Sequence, residues 1–208
     1  MYPSPRFILA TSSVYRQAQF ASLGVNATII APDIDESPLT DEKPGALAER
    51  LAAAKAGKVA AETENGIVIA GDQVASLTTG SGTTLILGKP GTHEAATEQL
   101  LLSSDRCVTF YSALSIIDAA TKGQTTATEI TKVHFRSLSK THIEQYLRDE
   151  KPYDCAGSFK SEGKGTLLFE RIESRDPNAL IGLPVMLLRD MLAGYGIDLL
   201  LLATSLTE

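Results

Sequence analysis

The chain is poor in the residues that most often build metal and redox centres: two cysteines and three histidines in 208 residues. Cys107 and Cys155 lie far apart and match no metal-ligand or redox spacing. They read as two reduced thiols, with a lone disulfide as the alternative. His93, His134 and His142 stand singly, none with a partner at i+4, which leaves a His-based metal centre without support. Positive charge is scarce as well. Nineteen Lys and Arg against 25 Asp and Glu give a net charge of −6, the wrong sign for a protein that coats nucleic acid. A single phosphorylated small molecule is a different partner, because it needs only a few cations in one cleft. No stretch approaches the ~20 apolar residues of a membrane span, and FILA near the N-terminus is too short for a signal peptide's core. The expected location is cytoplasmic, with no membrane partner. Familiar motifs are missing too: Gly88-Lys89 is followed by Pro90 rather than completing a P-loop, and GKGTLL from Gly163 lacks the last glycine of a dinucleotide fingerprint. No G-x-S-x-G elbow supports a serine hydrolase.

What is present is an ordinary globular composition, 43% hydrophobic and 21% charged, long enough for one domain over residues 1–208. Strand and helix signals alternate. RFILA and NATIIAP read as strands around a helix, SVYRQAQFASLG, that stops at Gly24. After the acid- and proline-rich DIDESPLTDEKPG comes an Ala-rich helix, ALAERLAAAKAGKVAAE. THEAATEQLLLSS reads as a helix, and SKTHIEQYLRDE as another with Ser139 as N-cap. CVTFYSALSIIDAA and TTATEITKVHFRSL form a hairpin about Lys122-Gly123. TLLFERIES reads as a strand, LPVMLLRDMLAGYG as the last long helix and DLLLLATSL as a final buried strand. This alternation predicts an α/β fold with a mixed twisted sheet and flanking helices.

Within IVIAGDQVASL, at 67–77, an acid and an amide, Asp72 and Gln73, interrupt an apolar run. A carboxylate removed from water is costly unless it is paired, hydrogen-bonded or metal-bound, so such a residue points either to chemistry or to a turn in which Asp caps backbone N–H groups. Other candidates lie in loops or near strand ends. ATSSVYRQ carries Thr11, Ser13 and Arg16 into a helix start, an arrangement that favours an anion or else is a plain serine N-cap with a solvated arginine. DIDE offers the hard oxygens of Asp33, Asp35 and Glu36, suited to Mg²⁺ or Mn²⁺ unless they are simply solvated. Lys55 is either functional or a surface lysine, and Lys89 sits in a fixed Gly-Lys-Pro turn. Together these outline a metal-assisted phosphate site.

The ordered series FILATSSVYRQAQFASLG, APDIDESP, LAAAKA, IAGDQV, LGKP, VTFYSAL, KVHFRSLS and CAGSFKSEGKGTLLFERIESRDPNALIGLP resembles the Maf family of nucleoside triphosphate pyrophosphatases across nearly the whole chain. It is most similar to the branch acting on 7-methyl-GTP, since GDQV stands where pyrimidine-nucleotide members carry A-D-T, and CAGSFKSEG where they carry K-A-G-A-Y-G-I-Q-G. The resemblance implies an elongated, two-lobed α/β fold with a central cleft, like that of inosine triphosphate pyrophosphatases. It also implies cleavage of a nucleoside triphosphate to monophosphate and pyrophosphate with a divalent cation, Mg²⁺ or Mn²⁺, and suggests a homodimer. It assigns Asp72 as proton acceptor and, with Glu36, as metal ligand. Thr11, Ser13, Arg16, Lys55 and Lys89 become phosphate-binding residues, and Tyr15, Gln73 and Glu162 tune base specificity. On a physical reading of those three positions, Gln73 is expected to read the O6 or N2 side of the base or to orient Glu162. The chain departs from the family pattern at Val14, where a proline is usual, at Gln17, where a second arginine is usual, and in a longer 78–86 segment expected to be a flexible flap. The alternative reading is a nucleotide-binding regulator, since the family is also associated with arrest of septum formation, or a pyrophosphatase for another nucleotide.

Overall fold

Apolar runs of four to twelve residues bury their backbone polar groups by pairing with one another, and here they do so in one mixed sheet. The computed structural model describes residues 5–204. Its elements are β1 (Phe7–Ala10), α1 (Val14–Ala21), β2 (Ala27–Ile30), α2 (Pro44–Ala61), β3 (Ile67–Thr78), β4 (Thr84–Leu87), α3 (His93–Ser103), β5 (Cys107–Asp118), β6 (Gln124–Phe135), α4 (Lys140–Glu150), β7 (Phe169–Glu173), α5 (Val185–Ala193) and α6 (Leu199–Thr204). The strand order is β2-β1-β3-β5-β6-β7, with β4 also on β3. The β1 pairings are parallel and the remainder antiparallel, so the expected mixed sheet is present.

One break in this sheet creates the site. On one edge of β3, β5 pairs continuously along residues 67–77. On the other edge β1 pairs with residues 67–70 and β4 with residues 75–78, leaving residues 71–74 without a strand partner. The C-terminal ends of β1 and β4, Ala10 and Leu87, approach this gap from opposite directions, and crevices at the C-terminal ends of strands are where open α/β sheets bind ligands.

Helix α2 covers the same gap from one face. Its buried stripe is Leu47, Leu51, Lys55 and Val59, at a spacing of four, and it packs on Val68, Ala70 and Val74 of β3. Each fully buried large apolar side chain contributes about 1.5–3 kcal/mol, so the stripe fixes the height of Lys55 over the sheet. On the opposite face α1 and α5 pack through Phe20, Leu188 and Leu192 on Phe7, Leu9, Ile69 and Ile116. A third cluster joins α3 and α4 to the far end of the sheet, where Phe110, Phe135 and Phe169 meet Phe159 edge-to-face.

The β5–β6 hairpin turns at Lys122, with φ 62°, and Ser139 caps α4 in a reciprocal box with His142. Three expectations are corrected. DLLLLATSL is helical over the described residues up to 204, the last two lying beyond them. Asp198 accepts from the Leu201 N–H as its cap, and Leu200 and Leu201 face outward. In TLLFERIES only Phe169 onward is strand, the preceding Lys164–Leu168 being a 3-10 turn. The 78–86 segment is no loose flap: β4 pairs with β3, and the tip closes through Thr79 N–H to Thr83 O (2.8 Å) and Gly82 N–H to Thr79 O (2.9 Å).

Candidate active site

Asp72 lies mid-strand in the unpaired stretch of β3, on the face that carries Val68, Ala70 and Val74. It is therefore not a turn residue. Its carboxylate is buried, and Lys55, equally buried, donates from Nζ to Asp72 Oδ1 at 2.6 Å. The same ammonium lies 2.6 Å from Glu36 Oε1, so one lysine ties the strand, the helix and the acidic loop together. Asp72 Oδ2 and Glu36 Oε2 take no hydrogen bond from the described residues, which leaves two carboxylate oxygens for a proton, a water or a cation. Asp35 is occupied otherwise: the Ser37 side chain, and the Ser37 N–H that its Oδ1 accepts, hold its carboxyl below the usual range. The loop itself is moored by Glu42, which takes both Nε and Nη2 of Arg50 (2.6 and 2.8 Å) together with the Leu39 N–H.

Arg16 reaches the same place from α1. It threads between two glycines: a Cβ on Gly71 would lie 3.3 Å from Arg16 Nε and 3.1 Å from Ala113 O, and Gly182 has φ +136° and its carbonyl accepts from Arg16 Nε at 2.9 Å. Burial lowers the Arg16 pKa from its ordinary value, opposed by the negative charges of Asp72 and Glu36; a guanidinium remains protonated regardless. Gln73, the next residue along β3, points to the opposite face of the strand. Its Nε2 meets Ala179 O (2.9 Å), Leu180 O (3.3 Å) and Ser112 Oγ (3.0 Å). Ser112 itself donates to Ala179 O, so it can only accept from Gln73. This fixes the amide orientation: nitrogen toward the wall, Oε1 left as a free acceptor.

These residues line one cavity of about 560 Å³, within the range of small-molecule sites. Lys89 lines it too, exposed and without an ion-pair partner among the described residues. Thr11 and Ser13 are lining residues whose oxygens are already used as acceptors. Thr11 Oγ1 takes the Ser13 N–H, and Ser13 Oγ caps α1 by taking the Arg16 N–H, so each keeps its O–H to offer a phosphate oxygen. A second grouping in the wall is Tyr15, Asp154 and Cys155: the Tyr15 hydroxyl donates to Asp154 Oδ2 (3.2 Å), and the Cys155 thiol donates to the Tyr15 oxygen (3.6 Å). Burial and these neighbours raise the Tyr15 pKa, and burial pushes the Cys155 thiol up to about 11. Glu162 lies in the same wall, exposed and unpaired among the described residues.

The family described as Maf-like protein matches residues 6–195. The chain belongs to the Maf family. Similar proteins include the 7-methyl-GTP pyrophosphatases of Nitrosococcus oceani, 46% identical over 92% of this chain and 94% of that protein, and of Thiobacillus denitrificans, 45% identical over 95% and 96%. That of Burkholderia lata is 48% identical over 90% and 89%. Among solved structures, that of the Staphylococcus aureus Ham1 protein shares the fold, with a TM-score of 0.53 at 16% identity over 91% of this chain and 99% of that one.

In this Maf chain the structure brings Arg16, Glu36, Lys55, Asp72, Gln73 and Lys89 to one cavity with Thr11, Ser13, Tyr15 and Glu162. One expected contact is absent: among the described residues Gln73 does not bond Glu162, because its N–H groups are spent on the 179–180 backbone and Ser112. Sequence reasoning missed Gly71, Gly182, Ser112 and the 176–184 loop. It also missed a signal for Lys55, which occupies the third position of the stripe Leu47, Leu51, Lys55, Val59, where a surface lysine would not stand. Among the described residues no three His, Cys, Asp or Glu side chains gather as a metal site; two carboxylates, Glu36 and Asp72, meet on the Lys55 ammonium. Mg²⁺ is commonly held by one or two carboxylates with substrate phosphates and water, so Glu36 and Asp72 fit such an ion.

Proposed function

We propose that the protein is a nucleoside triphosphate pyrophosphatase that hydrolyses 7-methyl-GTP to 7-methyl-GMP and pyrophosphate, with a divalent cation. The observation that carries this reading is the Glu36–Lys55–Asp72 cluster at the unpaired edge of β3, inside a cavity whose wall also holds Tyr15 and Glu162. Relatives 45–48% identical over nine-tenths of the chain carry the name 7-methyl-GTP pyrophosphatase, which supports it.

The chemistry follows from the residues. Asp72 Oδ2 takes a proton from water as the water oxygen attacks the α-phosphorus; the bond to the β-bridging oxygen breaks, and pyrophosphate leaves with the electron pair. Lys55, Arg16 and Lys89 surround the triphosphate and offset the charge that builds on its oxygens, the main task in phosphoryl transfer. Glu36 and Asp72 would hold a divalent cation, which would supply further neutralisation of phosphate charge. At the other grouping, the face of Tyr15 suits a base carrying the positive charge of N7 methylation, a cation–π contact of about 0.5–2 kcal/mol. Glu162 accepts from the N1–H and N2–H₂ edge and favours a cationic base over a neutral one.

The test is pyrophosphate release from a panel of 7-methyl-GTP, GTP, UTP, CTP and dTTP with Mg²⁺ or Mn²⁺. The highest kcat/KM is expected for 7-methyl-GTP. Preference for a pyrimidine nucleotide, or tight binding of 7-methyl-GTP without turnover, overturns the reading.

A further inference from the structure

The base edge assigned above presents three groups: O6, which needs a donor, and N1–H and N2–H₂, which need acceptors. Glu162 and Gln73 Oε1 are both acceptors. Gln73 offers no donor, because both amide hydrogens are committed to the wall. The Tyr15 hydroxyl is given to Asp154 and the Cys155 thiol to Tyr15. Lys160 has turned away, its Nζ on Glu150 O and its N–H on the Tyr146 hydroxyl. Thr11, Ser12, Ser13 and Lys89 also line the cavity with donors, on the side assigned to the phosphates, but among the lining side chains of 154–162, next to Glu162, one donor is left over.

That donor is Ser161, beside Glu162 in the cavity wall. Its Oγ is buried from water with no hydrogen-bond partner, and no other buried side-chain nitrogen or oxygen among the described residues is in that state. A buried hydroxyl without a partner is destabilising, so its retention here calls for a ligand group that completes it. The turn that carries it is anchored: Lys160 is held as above, the Gly163 and Gly165 N–H groups return to Lys160 O, and Lys164 pairs with Asp149 and gives its N–H to Glu150. Rotation about the single χ1 is all that serine needs to present Oγ to the cavity.

We propose that Ser161 is a specificity-determining residue whose hydroxyl donates to O6 of the purine, completing the reading of the base edge by Glu162 and Gln73. The proposal rests on the 7-methyl-GTP reading. Its test is a cycle of wild type and Ser161→Ala against 7-methyl-GTP and its 6-thio analogue, which keeps N1–H and the 2-amino group but replaces O6 by sulfur, a weak acceptor. Wild type should lose about three- to tenfold in kcat/KM on going to the thio analogue, the worth of one neutral hydrogen bond, and Ser161→Ala should show that loss with 7-methyl-GTP and no further loss with the analogue. Because the hydroxyl has no partner in the free protein, the melting temperature of Ser161→Ala without ligand should equal or exceed that of wild type, while the rise on adding 7-methyl-GMP should shrink. An equal thio penalty in both proteins, or a lower melting temperature of the free variant, overturns the assignment. If wild type does not prefer 7-methyl-GTP at all, the parent reading fails first and this one with it.

Discussion

Asp72 and Lys55 illustrate how much a single position depends on its surroundings. Each stands where the apolar period of its element demands a hydrophobic side chain, and each is tolerated because the other neutralises it. Removing one partner of a buried pair leaves a charge that costs about 3–5 kcal/mol. Lys55→Ala should therefore lower stability by roughly that amount, read as the shift of a urea midpoint, beyond any loss of turnover. Asp72→Asn keeps a hydrogen-bond acceptor for Lys55 but removes the base, so kcat should fall about 100-fold or more with a much smaller change in KM. Unimpaired turnover in this variant would take Asp72 out of the chemistry. Cys155 offers a check on the opposite grouping. With its thiol pushed up to about 11, little thiolate exists at neutral pH, and a raised pKa means reactivity that appears only as pH climbs toward that value. Alkylation by iodoacetamide at pH 7.5, followed by intact mass, should be slower at Cys155 than for glutathione, and should accelerate on moving to pH 9.

At the level of elements, two loops set the site and each has one residue that holds it. Asp176 is fully buried; its Oδ1 takes the Asn178 N–H and its Oδ2 the Met186 N–H, both well within hydrogen-bond distance. Between those two anchors run the carbonyls of Ala179, Leu180 and Gly182, which orient Gln73 and Arg16. Asp176→Ala leaves two part-buried N–H groups without their carboxylate, at up to about 1–3 kcal/mol each. It should lower the melting temperature and also reduce discrimination between 7-methyl-GTP and GTP, because Gln73 loses its fixed orientation. The second loop, carrying Glu36, depends on Glu42. Hydrogen bonds from Arg50 and the Leu39 N–H hold the Glu42 carboxyl at about 2, down from the usual 4.5. A depressed folded-state value stabilises above the unfolded one and is lost as pH falls through the folded one. The melting-temperature difference between wild type and Glu42→Gln should therefore be constant above pH 4.5 and close progressively as pH falls toward 2. A difference independent of pH over that range would show that the ion pair does not moor the loop.

For the molecule as a whole, the legible part of the sequence was the part with a period. Long helices with caps, such as α4 after Ser139, and the two twelve-residue strands about Lys122-Gly123 could be read directly. DLLLLATSL could not, because four consecutive leucines satisfy strand and helix alike and only Asp198, as a cap, separates them. The site was legible as residue types but not as a place: nothing in IVIAGDQVASL says that pairing with β1 stops at Ala70 and pairing with β4 begins at Ala75, which is what opens the edge at Asp72. Gly71 and Gly182 were silent for the same reason, since their need arises from Arg16 passing between them. This division of labour makes a prediction about β4. Its cavity-lining residues Ile86 and Leu87, and Gly88 and Lys89 just after it, lie at the end away from the hairpin tip, while among the described residues the tip at 79–83 is bonded only within itself and to the strand ends. Replacing residues 79–83 by Asn-Gly, which favours a tight two-residue turn, should leave kcat/KM for 7-methyl-GTP within about twofold, because β4 still pairs beyond the tip and delivers Lys89 to the gap. Replacing Leu87, buried and opposite Ala75, by Asp should instead cost at least tenfold, since an unpaired carboxylate there is expensive to bury and β4 would leave the sheet, taking Lys89 with it. Equal effects of the two changes would mean that the edge of β3 is not what positions this cation.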